Sequence, residues 1–172
     1  DAQSGGTVAV LSDEHSPIAA VAFSPGGTRV AAVGRDTLLT VWEVSTGISL
    51  FSVRSQQALS SLVFSPNGTS IAIAGYAGQI QIRNVKDGSV SALFNGQGSP
   101  ITSLAISPDG LTLASGSRAG AIWLWDLKTG AKLAALSGHP GGVYALVFSP
   151  DGTRLVSSGK DNLVRVWGVP TS

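Results

Sequence analysis

Short apolar segments alternate with polar turns along the chain, and the clearest example lies near its C-terminal end. Segments 143–148 and 154–158 are rich in β-branched and aromatic residues and have the length of strands. Between them, Ser149-Pro150-Asp151-Gly152 has the residue preferences of a tight turn, with Pro second and Gly last. A second turn at 160–162 leads into segment 163–167. The pattern predicts an antiparallel meander of at least three strands.

The predicted strands are apolar on both faces. In segment 143–148 the two alternating sets are Val143, Ala145 and Val147 on one side and Tyr144, Leu146 and Phe148 on the other. Strands of this kind are buried on two sides. We therefore expect each small sheet to be covered by a neighbouring sheet on either face.

This unit recurs four times at a nearly constant spacing. A Ser-Pro pair marks the first turn of each unit, in steps of 41, 42 and 42 residues, at Ser24, Ser65, Ser107 and Ser149. The position of Trp167 is taken in the earlier units by Trp42, Arg83 and Trp125, with the same steps. A period of about 40–45 residues that carries several short strands is typical of a propeller blade.

These residues resemble the WD-repeat β-propellers, and the resemblance covers essentially the whole chain. In that family a His, a Ser or Thr, an Asp and a Trp form a hydrogen-bonded tetrad inside the blade. The matching residues of the last unit are His139, Ser157, Asp161 and Trp167, although Gly168 replaces the Asp that usually follows the Trp. The resemblance implies that this tetrad is structural.

The other three units depart from the family pattern to different degrees. The first keeps His15, Asp36 and Trp42 but has Ala32 in place of the Ser. The third keeps Trp125-Asp126, with Gln97 near the His position and Ala119 at the Asp position. The second has Arg83 for the Trp and Ala77 for the Asp. Recognition therefore depends on the period and on two well-preserved units.

The resemblance predicts an all-β fold, a β-propeller of four-stranded antiparallel blades with four blades per chain. We expect a single domain, 1–172, with blades at about 12–53, 54–94, 95–136 and 137–172 and with 7–11 as a closing outer strand. Propellers of this family usually have seven or eight blades. The chain is therefore interpreted as half of an eight-bladed ring, either a homodimer that exchanges strand 7–11 against 163–167, or part of a longer propeller.

Composition and charge exclude several classes of protein. The net charge is +1, which gives no global basic field for nucleic acid, and no apolar run is long enough to span a membrane. The chain has no Cys, so disulfides and thiolate metal sites are excluded. We expect a soluble protein without cofactor or metal, cytoplasmic rather than exported.

The sequence gives no support for catalysis. His15 and His139 are the only histidines, and the resemblance places them in blade interiors, where a substrate has no access. Gly159-Lys160 is followed by Asp161 rather than by Ser or Thr, so it is not a phosphate-binding loop. We expect no enzyme activity.

A binding surface remains. In propellers of this family the residue before the tetrad Asp lies on the top rim near the central channel and often contacts partners. In this chain those positions are Arg35, Tyr76, Arg118 and Lys160, and Tyr144 is expected to face the same rim. Arg and Tyr are enriched among interface hot spots, and cations favour an acidic or phosphorylated peptide. Trp123, which has no aromatic equivalent in the other units, is expected to pack between blades.

Three hypotheses of function follow. The first is a non-catalytic scaffold that presents its top rim to a protein or peptide. The second is a propeller that binds a small ligand or carbohydrate. Repeated binding sites would need repeated aromatic residues, and Tyr76 and Trp123 do not recur in the other units. The third is an excised or engineered half-propeller that self-assembles without an activity of its own.

Overall fold

The fold was analysed in a computed structural model, which describes residues 4–12 and 17–169. All the regular secondary structure of these residues is β-strand, fifteen strands in chain order. They are β1 Ile18–Phe23, β2 Arg29–Gly34, β3 Leu38–Glu43, β4 Ser49–Arg54, β5 Leu59–Phe64, β6 Ser70–Gly75, β7 Ile80–Asn84, β8 Val90–Phe94, β9 Ile101–Ile106, β10 Thr112–Ser117, β11 Ala121–Asp126, β12 Lys132–Ser137, β13 Val143–Phe148, β14 Arg154–Gly159 and β15 Val164–Gly168. Within the described ranges no helix could cross a membrane.

The strands form four separate antiparallel meanders, which we call blades 1 to 4. Blades 1, 2 and 3 have four strands each, β1–β4, β5–β8 and β9–β12, and blade 4 has the three strands β13–β15. The predicted all-β, propeller-type architecture is confirmed, with four blades in the chain.

The Ser-Pro turns join the first two strands of every blade in the same way. The amide of the fourth turn residue donates to the carbonyl of the Ser at 2.8–2.9 Å in all four turns, from Gly27, Gly68, Gly110 and Gly152. In blade 4 the Ser149 hydroxyl also accepts from the amide of Arg154 at 3.0 Å, across the hairpin. The turn and its residue preferences, recognised in the sequence, therefore set the register of each hairpin.

The next turn of each blade contains one residue in the left-handed region. Gly78 and Gly120 hold this position in blades 2 and 3, with φ of 71° and 90°, and Asn162 holds it in blade 4, with φ of 61°. In blade 1 the residue is Thr37, with φ of 75°. Because a β-branched side chain is strained there, blade 1 has the least favourable of the four turns.

Consecutive blades pack face to face and bury three hydrophobic clusters. The cluster between blades 1 and 2 is centred on Leu39 and Ile73, that between blades 2 and 3 on Ile80 and Leu113, and that between blades 3 and 4 on Ile122 and Leu155. All six of these side chains are fully buried. The expectation of strands covered on both faces therefore holds for the interior blades.

The closing strand predicted at 7–11 stays a prediction, because it was expected to pair with strand 163–167 of a second copy. The segment has no strand structure, and Val8 and Val10 are exposed. The physical reason is the lack of a neighbour, since a strand forms only where another strand accepts its hydrogen bonds. Segment 7–11 was expected to pair with β15, which is the edge strand of the three-stranded sheet of blade 4. This strand begins at Val164 rather than at the predicted Leu163.

Candidate binding rim

Blade 4 contains a complete hydrogen-bonded tetrad in its interior. The Trp167 indole Nε1–H donates to Ser157 Oγ at 2.8 Å, and Ser157 Oγ lies 2.7 Å from His139 Nε2. His139 Nδ1 lies 2.8 Å from Asp161 Oδ1. Since an ionised Asp accepts only, Nδ1 carries the imidazole proton and Nε2 accepts from the Ser157 hydroxyl. Every polar group of the chain of four is thereby satisfied.

Arg165 extends the tetrad towards the surface. Its guanidinium donates to the second carboxylate oxygen of Asp161 at 2.6 Å. The hydrogen bond from His139 has the largest effect on the pKa of Asp161; it outweighs desolvation, which raises the pKa, and together with the hydrogen bond from Arg165 it lowers the pKa to about 2 from the ordinary 3.8. Asp161 is therefore ionised across the physiological range, which fixes the tautomer of His139.

The arrangement encloses the residues of the tetrad that could serve as a nucleophile or a base. His139 and Ser157 are both buried, and both ring nitrogens of His139 are engaged within the blade. A nucleophile and base need access to the reacting atom. The tetrad instead ties β14 and β15 to the segment that precedes β13.

The pKa of Asp161 makes part of the stability of blade 4 dependent on acid pH. Because its pKa is lower in the folded state than in the unfolded chain, ionised Asp161 stabilises the fold above about pH 4, and this contribution is lost as the pH falls through about 2. We expect Asp161→Asn to lower the free energy of unfolding at pH 7, and we expect wild type and variant to converge near pH 2. Urea unfolding at several pH values measures the difference.

Asp151 provides the matched comparison for this experiment. Its pKa is also lowered to about 2, by hydrogen bonds from Ser149 and Thr153 in an exposed turn, but it contacts no tetrad residue. It is present in both proteins, so its titration cancels in the difference between wild type and Asp161→Asn. A difference that stays constant from pH 7 to pH 2 would contradict the assigned role of Asp161.

Blade 3 replaces the His of the tetrad by an amide. Gln97 Oε1 accepts from the Ser115 hydroxyl at 2.7 Å, and Trp125 Nε1 donates to Ser115 Oγ at 2.8 Å. Gln97 Nε2 donates to two backbone carbonyls, those of Ser115 and Ala121. Gln97 thus performs the same joining role as His139 without an Asp, which explains why Ala119 is tolerated at the Asp position.

Blade 2 is built around Arg83, which occupies the Trp position and is buried. Its guanidinium donates twice to Gln81 Oε1, at 2.7 and 3.0 Å, and to the carbonyl of Gly88 at 2.7 Å. Gln81 Nε2 in turn donates to Ser55 Oγ at 3.1 Å. These neutral acceptors make the burial of a cation tolerable, and desolvation lowers the pKa of Arg83. Sequence reasoning missed both residues: Gln81 does not stand at a family tetrad position, and Ser55 stands 42 residues before Gln97, at the His position, with a different side chain.

Blade 1 retains fewer of the tetrad contacts that the structure describes. Trp42 is buried, and Asp36 Oδ1 accepts from the amide of Leu38 at 3.3 Å within the turn. His15, the other predicted tetrad member of this blade, lies outside the described residues.

The predicted rim residues of blades 2, 3 and 4 converge on one pocket of about 270 Å³. Tyr76, Arg118, Lys160 and Tyr144 all line it. The rest of its wall comes from Ser60, from the first residues of β9 and β13 and the residues just before them. All four predicted residues are exposed, so their side chains are accessible to a partner.

The backbone holds the rim residues in equivalent places. The amide of Tyr76 donates to the carbonyl of Ala58, that of Arg118 to Pro100 and that of Lys160 to Gly142, at 2.8–3.0 Å. In each blade this bond ties the rim residue to the residue before the first strand. The pocket is therefore formed by three repeats of one backbone arrangement with different side chains.

Two glycines that the sequence did not single out form one wall of the pocket. Gly141 and Gly142 have φ of 88° and 128°, which side chains rarely adopt. A Cβ at Gly141 would lie 3.3 Å from the Lys160 side chain, and one at Gly142 would lie 3.1 Å from the carbonyl oxygen of Arg118. The Gly-Gly pair before β13 is the sequence signal of this close approach.

The remaining predicted residues lie elsewhere. Arg35 is exposed but does not line the pocket, because blade 1 stands at one end of the row. Trp123 packs against Trp125, with ring centroids 5.4 Å apart, and belongs to the cluster between blades 2 and 3. Lys132 Nζ lies 4.3 Å above its ring, so its outer face is covered by a cation.

The charge of the pocket is of one sign. Arg118 and Lys160 are the charged residues that line it, and both are cations. Its other polar groups are hydroxyls, those of Ser60, Thr102 and the two tyrosines; Ser60 and Thr102 donate to the carbonyls of Ile101 and Val143. An anion with an apolar or aromatic body matches such a lining.

Repeated four-stranded meanders stacked face to face, with a tetrad inside the blade, define a repeat protein of the propeller class. The sequence model of the family described as WD domain, G-beta repeat matches residues 5–43, 88–126 and 130–168, more than half of the chain. The chain therefore belongs to the WD-repeat family, in which blades generally mediate protein interactions and are typically non-catalytic. No curated protein matches it. The unit left unmatched contains Arg83 in place of Trp.

Proposed function

We propose that this chain is a non-catalytic interaction scaffold that binds an acidic or phosphorylated peptide in the rim pocket. The observation that carries the proposal is the convergence of Arg118, Lys160, Tyr76 and Tyr144 on one pocket without a lining carboxylate. A homodimer is also proposed for the chain, and it would leave this pocket accessible on each copy.

The two cations and the two tyrosines have different roles in this proposal. Arg118 binds a carboxylate or phosphate with two parallel N–H donors, and Lys160 adds a second charge beside it. Tyr76 and Tyr144 provide rigid aromatic surface for the neighbouring peptide side chains. The backbone hydrogen bonds of Tyr76, Arg118 and Lys160 hold the bases of these side chains before the peptide arrives.

The scaffold proposal predicts a charge-dependent affinity that is located at the pocket. We expect a fluorescein-labelled peptide with four glutamates, and its phosphotyrosyl counterpart, to bind more tightly than the matched glutamine and tyrosine peptides. Arg118→Ala with Lys160→Ala should weaken binding at least about tenfold, which corresponds to about 1.4 kcal/mol. Fluorescence anisotropy measures both, and the affinity should fall with salt.

Arg35 supplies the matched control, because it is an exposed cation at the equivalent repeat position outside the pocket. Arg35→Ala should leave the affinity of the isolated chain within about twofold of wild type. Equal losses in Arg35→Ala and in the double variant would show a diffuse charge effect and contradict the pocket. Equal affinity for the acidic and neutral peptides would contradict the proposed ligand class.

A further inference from the structure

The two ends of the row of blades expose apolar surfaces that every interior junction buries. On the outer face of blade 1, Val21 is 66% exposed, whereas Leu62, Leu104 and Leu146 at the same repeat position are 7–8% exposed. On the outer face of blade 4, Val164 is 69% exposed, whereas Leu39, Ile80 and Ile122 are fully buried. We call Ile18, Val21 and Phe23 the first end face, and Val147, Val164 and Val166 the last end face.

The two end faces are the two halves of one kind of junction. Each interior cluster contains one side chain at the repeat position of Val166 and one at the repeat position of Val21. These pairs are Val41 with Leu62, Ile82 with Leu104, and Leu124 with Leu146. The last end face therefore has the side chains that cover the front of a next blade. The first end face has the side chains that a preceding blade covers.

The polar groups at the end faces agree with this match. At the junctions 2/3 and 3/4 a serine accepts from the amide of the following blade, Ser61 from Leu104 at 3.1 Å and Ser103 from Leu146 at 3.0 Å. At the junction 1/2 the equivalent residue is Ala20, and in blade 4 it is Ala145. A junction between blade 4 of one copy and blade 1 of another would thus lack this serine hydrogen bond, as the junction between blades 1 and 2 already does.

We propose that a second copy of this chain occupies both end faces, so that the last end face of each copy packs on the first end face of the other in the register of the interior junctions. Two copies related by a twofold axis then bury all four end faces and close an eight-bladed ring. The proposal rests on the end faces and not on the function of the rim.

Residues 5–12 offer a second contact between the copies. The three family matches begin at residues 5, 88 and 130. Residues 88 and 130 lie two residues before the outer strands β8 and β12, so residue 5 is expected to lie two residues before an equivalent outer strand. Residues 7–11 have no strand structure, and β15 lies at the edge of a three-stranded sheet. In the closed ring, segment 7–11 of one copy pairs with β15 of the other and completes its sheet.

Light scattering on the full chain tests the assembly. The wild type should have a mass of about twice 17.4 kDa, and both Val21→Lys and Val166→Glu should reduce it to about 17.4 kDa with unchanged circular dichroism. An equimolar mixture of the two variants should return to the double mass, because it forms one wild-type junction and one junction with opposite charges. Leu133→Glu, at an exposed position of β12 away from both end faces, should leave the double mass unchanged.

Each alternative outcome overturns a defined part of the proposal. A wild type at 17.4 kDa, or a mixture that stays monomeric, refutes the junction of unlike faces. A dimer that is broken by only one of the two variants indicates like-with-like pairing and also refutes it. Masses that rise without limit with concentration refute closure by two copies.

An unchanged dimer affinity in the double variant Val8→Pro, Val10→Pro refutes the pairing of 7–11 with β15. Arg118→Ala should not alter the mass, so failure of the rim proposal and failure of this one are separable.

Discussion

Gly120→Ala should lower the free energy of unfolding by about 2–4 kcal/mol. Gly120 has a φ of 90°, and a Cβ there would overlap the backbone carbonyl of His139. That carbonyl accepts from the amide of Gly142, so it cannot move away without loss of a hydrogen bond at the wall of the rim pocket. The substitution therefore strains its own turn in blade 3 and displaces the start of blade 4. Urea unfolding monitored by tryptophan fluorescence measures the change.

Gly26→Ala is the matched control for this prediction. Gly26 lies in the first turn of blade 1, where an added Cβ would meet no heavy atom within 4 Å, and its φ is outside the left-handed region. Its substitution should change stability by no more than about 0.5 kcal/mol. Similar losses in the two variants would show that the effect of Gly120→Ala reflects the loss of glycine in general and not the contact between blades 3 and 4.

The sequence predicts the fold well because its markers act locally. Ser149-Pro150-Asp151-Gly152 determines its own turn through a hydrogen bond between residues three apart, and the same turn occurs in every blade. A constant step between such turns leaves room for the same number of strands each time. The all-β fold, the four meanders and the burial of both sheet faces in the interior blades therefore follow from short-range patterns, whereas the outer faces of blades 1 and 4 are exposed.

Segment 7–11 shows where local patterns do not suffice. Its alternation, with Val8 and Val10 on one side, is compatible with a strand, but a strand also needs a partner backbone. That partner is determined by which edges meet when the blades assemble, a long-range property. The same limit applies to Arg83: its guanidinium also donates to the distant carbonyl of Arg54, and its acceptor Gln81 donates to Ser55.

The candidate site was predictable only in part, for a related reason. Repeat position identifies Arg118 and Lys160 as equivalent residues, but their convergence on one pocket with Tyr144 depends on the angle between successive blades. Arg35 has the same repeat position and lies outside the pocket, since no blade precedes it in the row. That these residues bind a partner stays a prediction.

Ser157→Ala should destabilise the protein by about 2–3 kcal/mol, because one hydroxyl serves two partners, the buried imidazole of His139 and the half-buried indole of Trp167. Ser157 Oγ accepts from Trp167 Nε1 at 2.8 Å and lies 2.7 Å from His139 Nε2. Without it, the half-buried indole N–H of Trp167 and a nitrogen of the buried His139 imidazole lose their hydrogen bonds. Ser157→Thr keeps the hydroxyl and should recover most of the loss. Thermal and urea unfolding measure both variants.

Ser158→Ala separates this effect from the loss of a serine in β14. Ser158 is the next residue of the strand and points to the opposite face of the sheet, away from His139 and Trp167. Its substitution should cost no more than about 0.5 kcal/mol. If Ser157→Ala were no more destabilising than Ser158→Ala, the tetrad would contribute little to blade 4. The replacement of His139 by Gln97 in blade 3 would then have little effect on stability. In these two blades that residue bonds to the serine that also accepts from the tryptophan, Ser157 in blade 4 and Ser115 in blade 3.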